Sequence, residues 1–359
     1  MKNFCSSVYS WVDERLGLAE LQALARHKTV PWHAHSFWYY WGGLSLMFFV
    51  LQAVTGMLLL VYYRPGPEAY ESVRQITYDT HFGWLIRSLH SWGANLMIAA
   101  VGIHMFSVFF MKAYRKPREF GWWSGLGLLG LGMGFGFSGY LLPMDELAYF
   151  ATTVGLDIPS GLPVIGSKMA ALVRGGLEVN EHTVQRFSTL HVIVLPLLFL
   201  PLLGFHLYLV QRHGNAVPPS EESKPAAQRQ AIPFFPHFLM KDMVMWLIAI
   251  NLLAVMAAIY PWDLGPQADS LKPAPVGIHP EWYFMSQFQV LKMLGHWVPG
   301  KAGEFAGLGL FTVALVAWML VPLYDTSRQA GRRARNTTVF GLLLLLATIA
   351  TTIWGYLAL

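Results

Sequence analysis

The sequence has little charge and almost no cysteine. Only 13% of its 359 residues are charged, against about 25% in an ordinary soluble domain, so lipid is expected to surround much of the chain. Cys5 is the single cysteine, which excludes an internal disulfide and any CxxC site for a metal or an attached haem. Metal ligands must therefore be sought among the 13 histidines.

A secretory signal is not expected within residues 1–30, because they contain no apolar core before a cleavage site. The stretch 11–25, WVDERLGLAELQALA, is instead typical of an amphipathic helix that lies at the membrane surface.

Long apolar segments are abundant. Seven of them are long enough to cross a bilayer of about 30 Å, which takes about 20 helical residues. Backbone groups in lipid must bond within their own segment, so we predict an all-α membrane protein. We label the segments A to G; they cover about 37–62, 89–111, 122–143, 189–210, 243–260, 305–324 and 338–358.

Proline and charge divide the chain. We predict an interfacial segment 1–36, a four-helix half 37–214, a cytoplasmic linker 215–242 and a three-helix half 243–359. The connections C–D, about 143–188, and E–F, about 262–304, are long, and long ordered loops usually carry function.

Basic residues predict the orientation. Four Lys or Arg precede segment A and four lie in each of the B–C, D–E and F–G connections, sixteen of the 25 in all. Cytoplasmic loops carry such an excess. We therefore expect a multi-pass protein of the cell membrane with its N-terminus in the cytoplasm and its C-terminus outside.

Segments B and D each contain two widely spaced histidines. His90 and His104 are 14 residues apart, nearly four helical turns, and so share one face at a separation of about 21 Å. His191 and His206 in segment D are 15 apart, an offset that a proline kink is expected to absorb. Two depths on two helices favour two sites that each clamp a flat metal macrocycle. The alternatives are hydrogen-bonded core histidines, or a zinc or copper site with its ligands at one depth.

Glycines and arginines accompany the histidines. Segments A and C each contain two glycines 14 residues apart, where a macrocycle edge can approach the backbone; close helix packing is the alternative. Arg87 and Arg186 precede the outer histidines and can bind anionic propionates, or extend to the membrane interface. The glycines are Gly42, Gly56, Gly125 and Gly139.

At this point the chain resembles cytochrome b of the Rieske/cytochrome b complexes, over nearly its whole length. The matching stretches are VPWHAHSFWYYWGG, LQAVTG, HFGWLIRSLHSWGANLMIAAVGIHMF, GYLLPMDELAYFATT, RFSTLHVIVLPLL and PAPVGIHPEWYF. The last contains Pro280-Glu281-Trp282-Tyr283, the family's quinol-oxidation signature. The 15-residue histidine spacing resembles the b6 branch, whose four-helix and three-helix chains are joined here.

The resemblance implies specific cofactors and residue roles. It implies two non-covalent b-type haems, the outer, lower-potential one on His90 and His191 and the inner one on His104 and His206, with the four glycines packed against them. It gives Glu281 and Tyr283 the chemistry of the outer quinol site. The other residues implied there are Tyr140, Pro143, Asp145, Pro280 and Trp282, and those implied near an inner quinone site are Arg212 and Asp242.

A chain of this family is expected to be the core of a quinol–cytochrome c reductase, coupling outer quinol oxidation to electron transfer across the membrane and to proton translocation. The implied partners are a Rieske iron–sulfur protein, a c-type cytochrome subunit, a second copy of the chain and the lipid membrane, but no nucleic acid. The alternatives are a diheme membrane anchor and, second, a transporter or structural membrane subunit. The PEWY loop argues against the first and the two-level histidines against the second.

Three features depart from the family pattern. Met144 stands where tryptophan is usual, and an eighth helix after segment G is not expected. Tyr40 stands where the b6 branch often has a cysteine that attaches an extra c-type haem, so we expect no covalent haem on this chain.

Overall fold

The computed structural model describes residues 2–17, 19, 28–160, 166–298, 300–326 and 331–358. These residues are mainly helical, as predicted. The first helix is α1 (Lys2–Leu16), which contains the start of the predicted interfacial helix. Residues 18 and 20–25 of that prediction lie outside the described residues.

The four-helix half contains segments A to D in order. Segments B, C and D begin several residues earlier than predicted, because interfacial polar residues continue the helices, whereas the α-helix of segment A begins at Tyr40 after a 3₁₀ turn. The elements are β1 (Thr29–Trp32), a 3₁₀ turn (Ser36–Tyr39), α2 (Tyr40–Leu60), α3 (Ala69–Arg74), a π turn (Gln75–Asp79), α4 (Gly83–Phe110), α5 (Glu119–Tyr140), α6 (Glu146–Ser160), α7 (Gly166–Arg174), α8 (Glu181–Thr189), a π turn (Leu190–Val194) and α9 (Leu195–His213).

The linker and the three-helix half follow. Their elements are α10 (Pro219–Glu222), a 3₁₀ turn (Ala226–Gln228), β2 (Gln230–Pro233), a π turn (Phe234–Phe238), α11 (Leu239–Ile259), α12 (Trp282–Trp297), α13 (Lys301–Tyr324) and α14 (Arg332–Leu357). Strands β1 and β2 pair antiparallel, with Thr29 opposite Pro233 and Trp32 opposite Gln230, and so tie the N-terminal segment to the linker.

All seven predicted segments are helical. Six described stretches are long and apolar enough to cross a membrane: Ser36–Leu60, Gly83–Phe110, Glu181–His213, Phe234–Ile259, Lys301–Tyr324 and Arg332–Leu357. Segment C forms the seventh helix, α5, whose 22 residues include eight glycines that make it less apolar than the others. Both long outer connections contain helices of their own, α6 to α8 in C–D and α12 in E–F.

The helices pack in pairs around a shared interior. Helix α2 lies along α4, α5 lies along α9, and α11 packs on both α2 and α4. Buried side chains between α2, α4 and α11 include Leu44, Met47, Met97 and Leu253. Helix α12 packs against α13 and α14, which in turn contact α5 and α4. The three-helix half therefore covers one side of the four-helix bundle.

A buried ionic cluster joins the two halves at the predicted cytoplasmic side. Asp325, at the end of α13, is fully buried. It accepts hydrogen bonds from the Tyr114 hydroxyl at 2.6 Å and from the Arg115 guanidinium at 2.7 Å, and the Lys112 ammonium lies 3.5 Å away. Tyr114 and its neighbours Phe109 and Trp318 form an aromatic cluster beside the carboxylate. We refer to these contacts as the Asp325 cluster.

The extra residue between the histidines of segment D is accommodated by a π turn. Residues Leu190–Val194, which include His191, form this turn, and a π turn closes its hydrogen bonds over one residue more than an α turn. It lies just before Pro196, which has no N–H to continue the α pattern. The one-residue offset between the two histidine spacings is therefore absorbed by a π turn.

Candidate haem and quinone sites

The four predicted histidines are divided between two places in the bundle. His90 on α4 faces His191 in the π turn, with ring centroids 6.4 Å apart and ring planes inclined by 69°. His104 on α4 and His206 on α9 line one cavity of about 400 Å³ at the other level. One histidine from each of the two helices thus lies at each place, and their role as paired haem ligands remains a prediction.

The outer pair has the separation that two axial ligands need. A metal–nitrogen bond is about 2.0–2.1 Å long, and the ring centre lies roughly 1 Å behind the nitrogen. A metal held from both sides therefore requires centroids about 6 Å apart, close to the observed 6.4 Å.

Each predicted glycine lies directly against one of the histidines. A Cβ added to it would approach the histidine Cε1 atom, so a side chain there would crowd the imidazole. The glycines thus make room first for the ligand rings, in addition to any macrocycle edge. The Cβ–Cε1 distances would be 3.3 Å for Gly56 and His90, 3.0 Å for Gly42 and His104, 2.8 Å for Gly139 and His191, and 3.4 Å for Gly125 and His206.

Three of the imidazoles have a hydroxyl partner at Nδ1. In each case the hydroxyl belongs to the residue just before the glycine. The hydroxyl oxygen lies 2.9 Å from Nδ1 for Thr55 and His90, 2.9 Å for Ser124 and His206, and 3.1 Å for Ser138 and His191.

These hydroxyls fix the imidazole tautomer. The Thr55 hydroxyl donates to the Leu51 carbonyl at 2.8 Å, and the Ser138 hydroxyl donates to the Gly134 carbonyl at 2.8 Å. Since its hydrogen is used there, each oxygen accepts from a protonated Nδ1. The unprotonated Nε2 is then available as a metal ligand. Sequence reasoning missed these residues, although Thr-Gly or Ser-Gly occurs at three of the four glycine positions.

The competing metal-site interpretation finds no support in the described part of the chain. No three His, Cys, Asp or Glu side chains lie together there in a way that could hold a metal ion. A zinc or copper site needs such a cluster, whereas two opposed imidazoles suit a ligand that supplies its own equatorial nitrogens.

The two predicted propionate partners bond to backbone carbonyls. Arg87 is buried and donates to the carbonyls of Trp262 and Asp263, at 2.5 and 3.1 Å, which fixes the start of the E–F connection. Arg186 donates to the Leu172 carbonyl in α7. Their role beside a haem remains a prediction.

Part of the predicted quinol site converges on an outer cavity of about 490 Å³. Tyr140, Pro280, Glu281 and Tyr283 line it, together with His279, which sequence reasoning did not single out. The Tyr283 hydroxyl contacts Gly136 on α5, so the absence of a side chain there makes room for it.

Three other residues predicted for this site do not line the cavity. Pro143 is absent from its wall. Asp145 accepts from the Ala148 N–H at 2.9 Å at the start of α6. The Trp282 indole donates to Asn95 at 2.8 Å.

The carboxylate of Glu281 sits in a setting that favours its protonated form. Glu281 immediately precedes α12 and is partly buried, and this burial raises its pKa above the ordinary glutamate value. The electrostatic interaction with nearby His279 opposes this shift and lowers the pKa of Glu281. Burial also raises the pKa of the Tyr283 hydroxyl, so Tyr283 stays a hydrogen-bond donor.

The inner cavity contains one of the two residues predicted for an inner quinone site. Asp242 is buried and lines the cavity. Its Oδ2 atom would lie 2.5 Å from a Cβ on Gly43, so this glycine admits the carboxylate. Arg212 is exposed and does not line the cavity. Lys28 and Arg118 do line it, although neither was predicted.

The fold and the paired histidines define a multi-pass membrane protein of the electron-transport class. The family model "Cytochrome b(N-terminal)/b6/petB" matches residues 95–266 and "Cytochrome b(C-terminal)/b6/petD" matches residues 267–358. The chain belongs to the cytochrome b/b6 family and joins its N-terminal and C-terminal parts in one polypeptide.

Individual relatives agree. The cytochrome bc complex cytochrome b subunit of Chlorobaculum thiosulfatiphilum is 46% identical over 341 residues, 94% of this chain and 78% of the relative. Cytochrome b6 of Heliobacterium mobile is 41% identical over 211 residues, 58% of this chain and 99% of the relative. A chain of a hyperthermophilic respiratory Complex III superposes with a TM-score of 0.84 at 29% identity, covering 97% of this chain and 91% of that one. The protein is thus a cytochrome b subunit of a bc/b6f-type complex.

Proposed function

We propose that this chain is the quinol-oxidising core subunit of a proton-translocating quinol–cytochrome c reductase. The observation that carries the proposal is the opposed pair His90 and His191, with His104 and His206 lining a second cavity, combined with a cavity that contains Glu281. A diheme membrane anchor would need the histidines but not this cavity.

The residues fit two non-covalent b-type haems. His90 with His191 would hold the outer haem, and His104 with His206 the inner one. Gly42, Gly56, Gly125 and Gly139 leave the room that the ligand rings occupy, and Arg87 and Arg186 remain candidates for propionate contacts. When bound, the haems supply one-electron carriers at two depths, which connect the two faces of the membrane. We expect neither to be covalent, because Cys5 is the sole cysteine.

At the outer face, Glu281 is proposed to act as the base. Quinol oxidation releases two protons and two electrons. The carboxylate takes the proton of a quinol hydroxyl as that O–H bond breaks, and later passes it to the outer water. A pKa raised by burial suits this task, since a base works best near the operating pH. The hydroxyls of Tyr140 and Tyr283 are placed to orient the substrate. Pro143, Asp145, Pro280 and Trp282 would shape the surrounding loops.

The two electrons are proposed to take different routes. One leaves to a Rieske iron–sulfur protein docked on the outer loops, and from there to a c-type cytochrome. The other crosses the membrane to an inner quinone site. There Asp242 would supply a proton to the quinone as it is reduced, and Arg212 would lie near the same membrane face.

The names of the relatives support the proposed assembly. One belongs to a cytochrome bc complex and another to a respiratory Complex III. We infer that this chain works in a similar complex as one of two copies, in the cell membrane. The distribution of Lys and Arg supports a cytoplasmic N-terminus and an outer C-terminus. A reporter that works only in the cytoplasm should be active when it is fused at residue 220. Activity of a reporter that works only outside the cell, fused at the same residue, would contradict this orientation.

The deciding experiment combines haem analysis with inhibition of the purified complex. A pyridine haemochrome spectrum should give two b haems per chain, and a denaturing gel should show no haem-stained band at the mass of this chain. An inhibitor of outer-site quinol oxidation should block electron transfer to the c-type cytochrome. One haem or none would refute the cofactor proposal, and full activity with the inhibitor bound would favour the anchor.

A further inference from the structure

The four histidines differ in one respect, which separates His104 from the others. At three positions the residue before the glycine is Thr55, Ser124 or Ser138, and its hydroxyl bonds Nδ1 of the facing histidine. At the fourth, Trp41 precedes Gly42. The Nδ1 atom of His104 is buried and has no hydrogen-bond partner within the part of the chain that the structure describes.

Trp41 is held firmly in that position. Its ring packs in the buried cluster between α2, α4 and α11 and lies edge-on to Phe37 at 6.3 Å. Its carbonyl accepts the Ser45 hydroxyl at 2.8 Å. The packing of Trp41 therefore leaves this position without a hydroxyl group for His104.

A hydrogen bond from Nδ1 changes what a histidine does to a metal. An imidazole that donates its Nδ1–H becomes a stronger electron donor through Nε2. Stronger donation stabilises the oxidised, more positive metal and so lowers its reduction potential. An imidazole without this bond leaves the potential higher.

The bonds are unequally divided between the two levels. At the outer level both His90 and His191 are bonded, and His191 also lies 3.1 Å from the Phe135 carbonyl. At the inner level His206 is bonded to Ser124 and also to the Gly121 carbonyl, whereas His104 has no hydrogen bond at Nδ1 within the described residues. The chain therefore provides more donation to a metal at the outer level than to one at the inner level.

We propose that Trp41 is a positioning residue that raises the potential of the inner haem by leaving His104 without a hydroxyl partner. The inference rests on the proposed function. It provides a downhill direction for electrons, from the outer level to the inner one. A net hydrogen bond of about 0.5–1.5 kcal/mol corresponds to a two- to roughly tenfold change in electron partition, and tenfold equals about 59 mV for one electron.

The test is a redox titration of the purified complex, in which the optical spectrum gives a midpoint potential for each haem. Thr55→Val removes the outer bond at nearly constant shape and should raise the outer potential only. Ser124→Ala should raise the inner potential only. Trp41→Thr should lower the inner potential, while the matched control Trp41→Phe, which also lacks a hydroxyl, should leave it unchanged.

Trp41→Thr also removes a large packed side chain. If this variant fails to assemble, the Thr55→Val and Ser124→Ala variants decide between the outcomes. Two haems with unshifted potentials in both of these variants would overturn the inference and leave the proposed function standing. A wild-type spectrum without two b haems would instead overturn the proposed function itself.

Discussion

The outer and inner histidine pairs are held by the same helices, yet their surroundings differ. Beside the outer pair lies a cavity with one carboxylate, Glu281, and the two tyrosines Tyr140 and Tyr283. Most of this wall comes from the E–F connection and the end of α5. The outer site is therefore a pocket built largely by the connections and their short helices, next to a ligand pair that lies on long helices of the bundle.

The inner pair adjoins a cavity of a different character. Its polar wall combines Asp242 with the cations Lys28 and Arg118, and it is built from helix ends and the N-terminal segment. The comparison teaches that the bundle sets where the ligands lie, whereas the elements at each membrane face set the proton chemistry.

Removing one ligand should empty one level only. His206→Leu should abolish the inner haem signal while most of the outer signal remains, because His90 and His191 belong to a separate pair. His191→Leu is the mirror control and should do the reverse. The measurement is the b-haem difference spectrum of folded, membrane-inserted variants. Equal loss of both signals in a folded protein would mean that the levels are not independent.

Replacing the outer base should slow quinol oxidation without emptying either level. Glu281→Gln keeps the shape but loses the carboxylate, and general-base contributions are typically about 10²–10⁴-fold. We therefore expect a loss within or below that range. The measurement is pre-steady-state haem reduction by quinol with the inner site blocked.

The matched control for this variant is Glu181→Gln, which removes an exposed carboxylate from α8 on the same side of the membrane. It should react at the wild-type rate. A wild-type rate for Glu281→Gln as well, across neutral pH, would limit Glu281 to a structural role.

One added methyl group should discriminate between the levels. In Gly139→Ala the new Cβ would lie 2.8 Å from His191, too close without a shift of the ring, whereas in Gly125→Ala it would lie 3.4 Å from His206, an ordinary contact. Overpacking of this kind typically costs about 1–3 kcal/mol. We expect partial loss of the outer haem in the first variant and normal haem content in the second. Equal haem content in the two variants would show that the bundle adjusts to the added methyl group at Gly139 without losing the haem.

The smallest effect should be a shift of pH dependence at the outer face. Burial raises the pKa of Glu281, while the electrostatic interaction with His279 lowers it. In His279→Asn the opposing charge is gone, so the pKa of Glu281 rises further and the base is lost at a higher pH as the solution is acidified. The pH at which the rate of quinol oxidation falls on the acidic side should therefore be higher in this variant. The control His279→Lys keeps a positive charge and should leave that pH nearly unchanged. Tyr140, Tyr283 and Tyr356 face the same groups and are unchanged in both variants. An unchanged pH profile in His279→Asn would mean that His279 does not influence the pKa of Glu281.

The ligand framework was predictable because it is periodic. Histidines and glycines at 14-residue spacing define faces of helices, and a face fixes depth and direction without knowledge of the partner helix. His90, His104 and their facing glycines therefore lie where the spacing places them. The offset on segment D was visible, but its π turn was not, because a local change of hydrogen bonding leaves no periodic signal.

The polar details were less predictable because they depend on side-chain direction and on loops. Thr55, Ser124 and Ser138 resemble ordinary helix residues until their hydroxyls are seen beside an imidazole. Arg87 was suitable for a propionate by charge, yet it bonds to carbonyls of a connection that lies 175 residues away in the sequence. Such long-range partners have no counterpart in local spacing.

The Asp325 cluster bears on how the two halves hold together. The Asp325 carboxylate is buried beside Arg115, Lys112 and Tyr114. Separating the two halves would break this buried ion pair, which costs about 3–5 kcal/mol. The β1–β2 ribbon adds a second crossing between the pieces. Covalent continuity through the linker is thus redundant for cohesion: two polypeptides divided near residue 223 and made together should assemble into the same body. The single chain therefore ensures that the two halves are made in equal amounts, more than it holds them together.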